Sequence, residues 1–199
     1  MRRDSIANTL IVATVLCVVC SVLVSGAAVG LRSVQQANKT LDRNKNVLLA
    51  AGLVESKDVE PDRVEQIFDE RIERLLIDLE TGQPIDAPPE GVDLESFDPR
   101  TAAKNPDLSV TIDPADDVAG IKRREKYTYV YRVQDESGQF SQLVLPIYGK
   151  GLWSTIYGFL ALRSDLDTVA GLTLSEHAET PGVGGEVANE TWHGDRVAK

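Results

Sequence analysis

Three hydrophobic regimes follow one another along the chain. Residues 5–31 carry no charged side chain and are dominated by Val, Leu, Ile, Ala, Cys, Ser and Gly. A helix over that stretch is roughly 40 Å long, enough to cross a hydrocarbon core of about 30 Å. This predicts a transmembrane helix over 6–31 behind a short tail at 1–5. A cleaved signal peptide is the competing reading, because Arg2 and Arg3 form a basic start and Ser25-Gly26-Ala27 supplies small residues. Signal-peptide cores run about 7 to 15 residues, and this run is nearly twice as long.

The second regime is polar with a thin apolar stripe at Val34, Ala37, Leu41 and Leu48, and it closes at Gly52. It predicts a juxtamembrane helix over 34–51, with the whole of 32–60 serving as helix and linker. Pro61-Asp62 is a helix-start pair, and the segment it opens runs toward Ile72. The following Leu75-Leu76-Ile77-Asp78-Leu79 fits a longer helix or a short strand, the strand being preferred, and Thr81-Gly82 ends it.

From Tyr127 the period becomes two. Tyr127, Tyr129, Tyr131 and Val133 alternate with Thr128, Val130 and Arg132, and Asp135-Glu136-Ser137-Gly138 turns the chain into a strand over 140–147. Strands over 152–162 and 169–174 follow. Six of the nine prolines lie in 84–114, which reads as a long irregular excursion. The expected fold class is α+β: one N-terminal transmembrane helix, then a single soluble domain over 61–199 with an antiparallel sheet and flanking helices.

Charge changes this picture in one respect. The 199 residues hold 21 Lys plus Arg against 31 Asp plus Glu, a net charge of −10. Beyond residue 31 there remain 19 basic and 30 acidic groups, so the part that meets water carries −11. Such a balance excludes broad contact with nucleic acid, whose phosphates call for a basic face. Basic residues stand on both sides of the apolar run, with Arg2 and Arg3 before it and Arg32, Lys39, Arg43 and Lys45 after it, so charge alone leaves its orientation open.

Candidate chemistry is sparse. Cys17 and Cys20 form C-x-x-C inside the apolar run with no further ligand nearby, and read as small apolar filler. Gly26 and Gly30 form GxxxG, a spacing that lets another helix approach in lipid. His177 and His193 lack partners at metal-ligand spacing and read as solvated or turn histidines; no metal site and no catalytic residue is assigned. Lys150 in Gly149-Lys150-Gly151 is not a phosphate-loop lysine, because Val144 and Gly151 stand where that loop needs Gly and Ser or Thr.

Two glycine-bearing turns remain, at 148–153 and 179–185. Taken singly each is an ordinary turn. Together they supply what a flat aromatic cofactor needs: backbone able to approach a ring, an apolar wall and a few fixed polar groups. The candidate cofactor-binding residues are Trp153, Glu179, Thr180, Gly182, Val183 and Gly184.

The run Leu145-Pro146-Ile147-Tyr148-Gly149-Lys150-Gly151-Leu152-Trp153-Ser154, with Glu179-Thr180-Pro181-Gly182-Val183-Gly184-Gly185, resembles the C subunit of the bacterial sodium-translocating NADH:quinone oxidoreductase. Asp78-Leu79-Glu80-Thr81-Gly82 and the end of the apolar run at Ser25-Gly26-Ala27-Ala28-Val29-Gly30-Leu31-Arg32 match as well. The E-T-P-G-x-G turn alone also admits the G subunit of Rnf electron-transport complexes. The resemblance implies a single-pass inner-membrane protein whose FMN-binding domain faces the periplasm. It further implies the other subunits of the complex and the lipid bilayer as partners, and an electron relay from NADH toward ubiquinone coupled to sodium export. Hydride chemistry belongs elsewhere in the complex.

In that family FMN is attached through its phosphate to a threonine of an S-G-A-T type motif near the C-terminus. No such motif occurs between Gly185 and Lys199; Ser25-Gly26-Ala27-Ala28 has Ala where Thr is required. The attachment threonine is therefore unknown in this chain, and the domain is expected to be C-terminally incomplete. The alternative expectation is a cofactor-free structural or docking component of a membrane complex.

Overall fold

The computed structural model describes residues 6–85, 97–182, 184 and 185. Contacts divide the chain after Thr40 into two units. The first holds helix α1 (Ile6–Gly30), whose apolar side chains face outward all round, and the opening of α2 (Arg32–Ala50). Within α1 the stretch Asn8–Gly30 is long and apolar enough to cross a membrane.

The second unit starts inside α2, whose last turns are core: Val47 and Leu48 are wholly buried and Ala50 nearly so. The segment 32–60, expected as helix and linker, thus contributes to the domain expected to begin at 61. The helix ends one residue before its predicted limit, and Gly52 takes φ +69 while its N–H donates to the Leu49 carbonyl. Helix α3 (Pro61–Arg71) has Pro at its start and runs directly into β1 (Ile72–Asp78), so the ambiguous apolar run is a strand, three residues longer at its beginning than predicted.

The main sheet is antiparallel with strand order β1, β4 (Tyr127–Gln134), β5 (Phe140–Lys150), β6 (Thr155–Arg163) and β7 (Val169–Glu176). The aromatic alternation in β4 builds one face: Tyr131 meets Phe68 of α3 and Phe159 of β6 edge-on, and Tyr129 meets Phe97. Thr128 and Val130, on the opposite face, are buried too. The end of α2 lies on the Tyr131 side. Thr173 Oγ1 of β7 donates to the Asn46 carbonyl, Gln142 Nε2 of β5 donates to the Ala51 carbonyl, and Gly171 leaves the space that the Ala50 carbonyl fills.

Two expectations need correction. The proline-rich excursion is not irregular throughout: it contains α4 (Pro99–Ala102), a 3-10 turn (Pro106–Leu108) and β2 (Ser109–Thr111), which pairs with β3 (Arg123–Glu125). Prolines at helix starts, with Asp98 and Asn105 as side-chain caps, make these short pieces compatible with the composition. The sixth strand begins at Thr155 rather than 152, since Gly151 N–H donates to the Ser154 carbonyl and closes a turn that holds Leu152 and Trp153.

Candidate functional site

Strand β5 carries the chain to Lys150, the turn at 151–154 reverses it, and β6 returns. Strand β7 ends at Glu176, so the segment 177–182 leaves the sheet beside that same turn. One side chain joins the two. Oε1 of Glu179 accepts from the backbone N–H groups of Trp153 and Ser154, both at 3.1 Å, and from Ser154 Oγ at 3.3 Å. The connection is reciprocal, for Ala178 N–H donates to Ser154 Oγ at 2.8 Å.

Glu179 is buried, and the backbone N–H of Trp153, followed by the Ser154 donors, holds its carboxyl below the usual carboxylate range. Glycine makes its position available. A Cβ on Gly151 would overlap Glu179 Oε1 and approach Ile156 Cδ1 to 2.9 Å; one on Gly184 would stand 3.1 Å from Cβ and Oε2 of Glu179. The carboxylate is sandwiched between glycines of both turns.

The predicted residues separate under this geometry. Trp153 and Glu179 are brought together through the Trp153 backbone, while Trp153 as a residue is 71% exposed. Thr180 is exposed and its carbonyl accepts from Gly185 N–H at 2.9 Å. Gly182 takes φ +75 and has open space where a side chain would stand, so it shapes the turn. Val183 lies outside the described residues, as does His193. His177 is half-buried just after β7, and its Nδ1 accepts from Glu179 N–H. Glu179 differs most from expectation. Its motif groups it with cofactor-facing residues, but its Oε1 is directed at the protein's own backbone.

Ser154 and Gly151 belong to the same motif with no role expected of them, and they are the groups that receive Glu179. A third arrangement had no sequence signal. Tyr148 Oη donates to Oε2 of the buried Glu125, and burial followed by that hydrogen bond pushes the phenol well up from its ordinary value. The Tyr148 ring stacks on Tyr157 at 5.7 Å, and the Arg100 guanidinium lies 3.8 Å over Tyr157 while pairing with Glu176. This ladder ties α4 and the small sheet to the strands that lead into both turns. Among the described residues no cluster of His, Cys, Asp and Glu is able to hold a metal.

The family model described as an FMN-binding domain matches residues 151–199. The chain thus joins an apolar N-terminal helix to an antiparallel-sheet domain whose C-terminal part matches that family model. The chain is 47% identical over 198 residues to the C subunit of the Na(+)-translocating NADH-quinone reductase of Pseudomonas aeruginosa, covering all of this chain and 74% of that protein. It is 42% identical to the C subunit of Yersinia pestis, covering all of this chain and 72% of the relative. The crystal structure of NqrC from Shewanella oneidensis superposes with a TM-score of 0.67 at 38% identity, over 80% of this chain and 69% of that one. The chain belongs to the family of C subunits of the Na(+)-translocating NADH-quinone reductase, an oxidoreductase complex.

Proposed function

We propose that this chain is the membrane-anchored electron-relay component of a sodium-pumping NADH:quinone oxidoreductase, passing electrons through FMN from NADH toward ubiquinone while the complex exports sodium. Residues 1–5 form a cytoplasmic tail, α1 spans the inner membrane once, and the soluble unit, including the end of α2, lies in the periplasm. The remaining subunits of the complex are its partners. A reporter fused to the soluble unit tests the orientation: activity in the cytoplasm alone refutes it.

The observation that carries the flavin reading is the joined pair of turns. An exposed indole is held by a fixed backbone beside a glycine turn with open space at Gly182 and an exposed Thr180. These features fit a flat ring, which needs one apolar wall and unobstructed backbone. Bound FMN supplies the capacity to accept and release electrons; the residues of this chain hold and orient it. Trp153, Thr180, Gly182, Val183 and Gly184 would hold the flavin, and Glu179 fixes the Trp153 backbone.

The test is titration of the purified 199-residue chain with FMN, in a Trp192→Phe background so that Trp153 alone reports. Saturable quenching of Trp153, with flavin released on acid precipitation, is the expected result. Absence of quenching refutes the flavin reading and returns the cofactor-free docking role.

A further inference from the structure

We infer that Glu179 is a positioning residue for the flavin site, a clamp that sets Trp153 against the turn carrying Thr180 and Gly182 through the reach of its acceptor more than through its charge. The inference rests on the flavin reading above and concerns how that site is held.

Several features point the same way. Three donors of one turn, two backbone N–H groups and one hydroxyl, converge on a single oxygen contributed from 25 or 26 residues away. The return bond from Ala178 N–H to Ser154 Oγ leaves the two turns little freedom to slide. Gly151 and Gly184 allow no Cβ without crowding the Glu179 side chain, so the backbone on both sides is shaped around it. By contrast, the indole beside the clamped N–H projects into solvent. A side chain that binds cofactor directly would keep its acceptors for the ligand; Oε1 here has spent them on the protein.

Geometry and charge make opposite demands on substitutions. Glu179→Gln keeps a carbonyl oxygen at the same reach and removes the charge. Glu179→Asp keeps the charge and withdraws the acceptor by one methylene. Gly151→Ala leaves Glu179 in the sequence and displaces its carboxylate. Hydrogen exchange of the 152–154 amides, measured on the full chain in detergent without flavin, reads the clamp. FMN quenching of Trp153 in the Trp192→Phe background reads its consequence.

Glu179→Asp and Gly151→Ala are expected to speed exchange at Trp153 and Ser154 by about tenfold or more and to weaken FMN quenching, with Glu179→Gln staying within about threefold of the parent. Exchange in Glu179→Asp equal to the parent overturns the clamp, and so does a loss in Glu179→Gln as large as in Glu179→Asp. Faster exchange with undiminished FMN quenching overturns the link between clamp and site. If the parent chain itself fails to quench, the flavin reading falls, while the exchange comparison still decides the clamp. Should Gly151→Ala fail to fold, the Asp and Gln pair carries the decision alone.

Discussion

Substitution of Gly171 by Ala tests how the end of α2 is fixed to the sheet. A Cβ at this position would overlap the carbonyl oxygen of Ala50 and lie 3.1 Å from its carbon. Neither partner can escape by changing rotamer, because one is a methyl group and the other is backbone. The end of α2 must then lift by roughly 1 Å to regain ordinary contact distance. Val47, Ala50 and Ala51 leave their tight packing, and the bonds from Thr173 Oγ1 at 3.1 Å and Gln142 Nε2 at 3.2 Å are strained. Overpacking of this kind costs about 1–3 kcal/mol, and the two hydrogen bonds add about 1 kcal/mol each at most. Loss of glycine freedom in the unfolded chain offsets up to about 1 kcal/mol. Taking the middle of each range, about 2 plus about 1 less about 0.5, the net destabilisation is about 2–3 kcal/mol, a fall in melting temperature of roughly 4–12 °C for a domain of this size. Thermal unfolding of the detergent-solubilised chain, followed by circular dichroism, measures it. Ala50→Gly in the same background should not rescue, since the obstacle is a carbonyl. A Gly171→Ala protein within about 0.5 kcal/mol of the parent would refute the close approach of α2 to β7.

Three further outcomes follow from the same contacts. Tyr148→Phe removes the donor to the buried Glu125 carboxylate and should destabilise the domain by about 1–3 kcal/mol in urea titrations, whereas an unchanged midpoint means that Glu125 has another donor. Leu48→Ala, at a wholly buried site, should lose about 2–5 kcal/mol, while Val118→Ala, 97% exposed, should stay within about 0.5 kcal/mol; equal effects would contradict the assigned core. Asp165 is held at a pKa of about 2, below its ordinary 3.8, chiefly by the Thr168 hydroxyl and then the Thr168 and Asp167 amides. A lowered folded pKa means stability present above the unfolded value and lost as pH falls through the folded one. Asp165→Asn should therefore flatten the acid limb of stability between pH 3.8 and 2; a limb of unchanged slope would sink the assignment.

What the sequence alone determined are the features written in nearest neighbours. The uncharged run gives α1, Pro61 starts α3, Gly52 ends α2, and the aromatic alternation gives β4 and its hairpin with β5. Each depends on a period or a stop signal within a few residues, and so it is legible without knowing the fold. Family membership was legible for a related reason, since the two glycine turns are short and contiguous. The small sheet was not, because β2 and β3 are three residues each and carry no period long enough to read. Tertiary structure decided what each turn residue faces. Glu179 and Trp153 are 26 residues apart, and Asn46 and Thr173 are 127 apart. The register of β5, β6 and β7 brings the first pair within hydrogen-bonding distance, and the seating of the end of α2 on the sheet brings the second. A glutamate in E-T-P-G has the same local signature whether its carboxylate meets a ligand or the backbone of another turn. Its role is fixed by which donors the sheet delivers to it, and that is a property of the assembled strands.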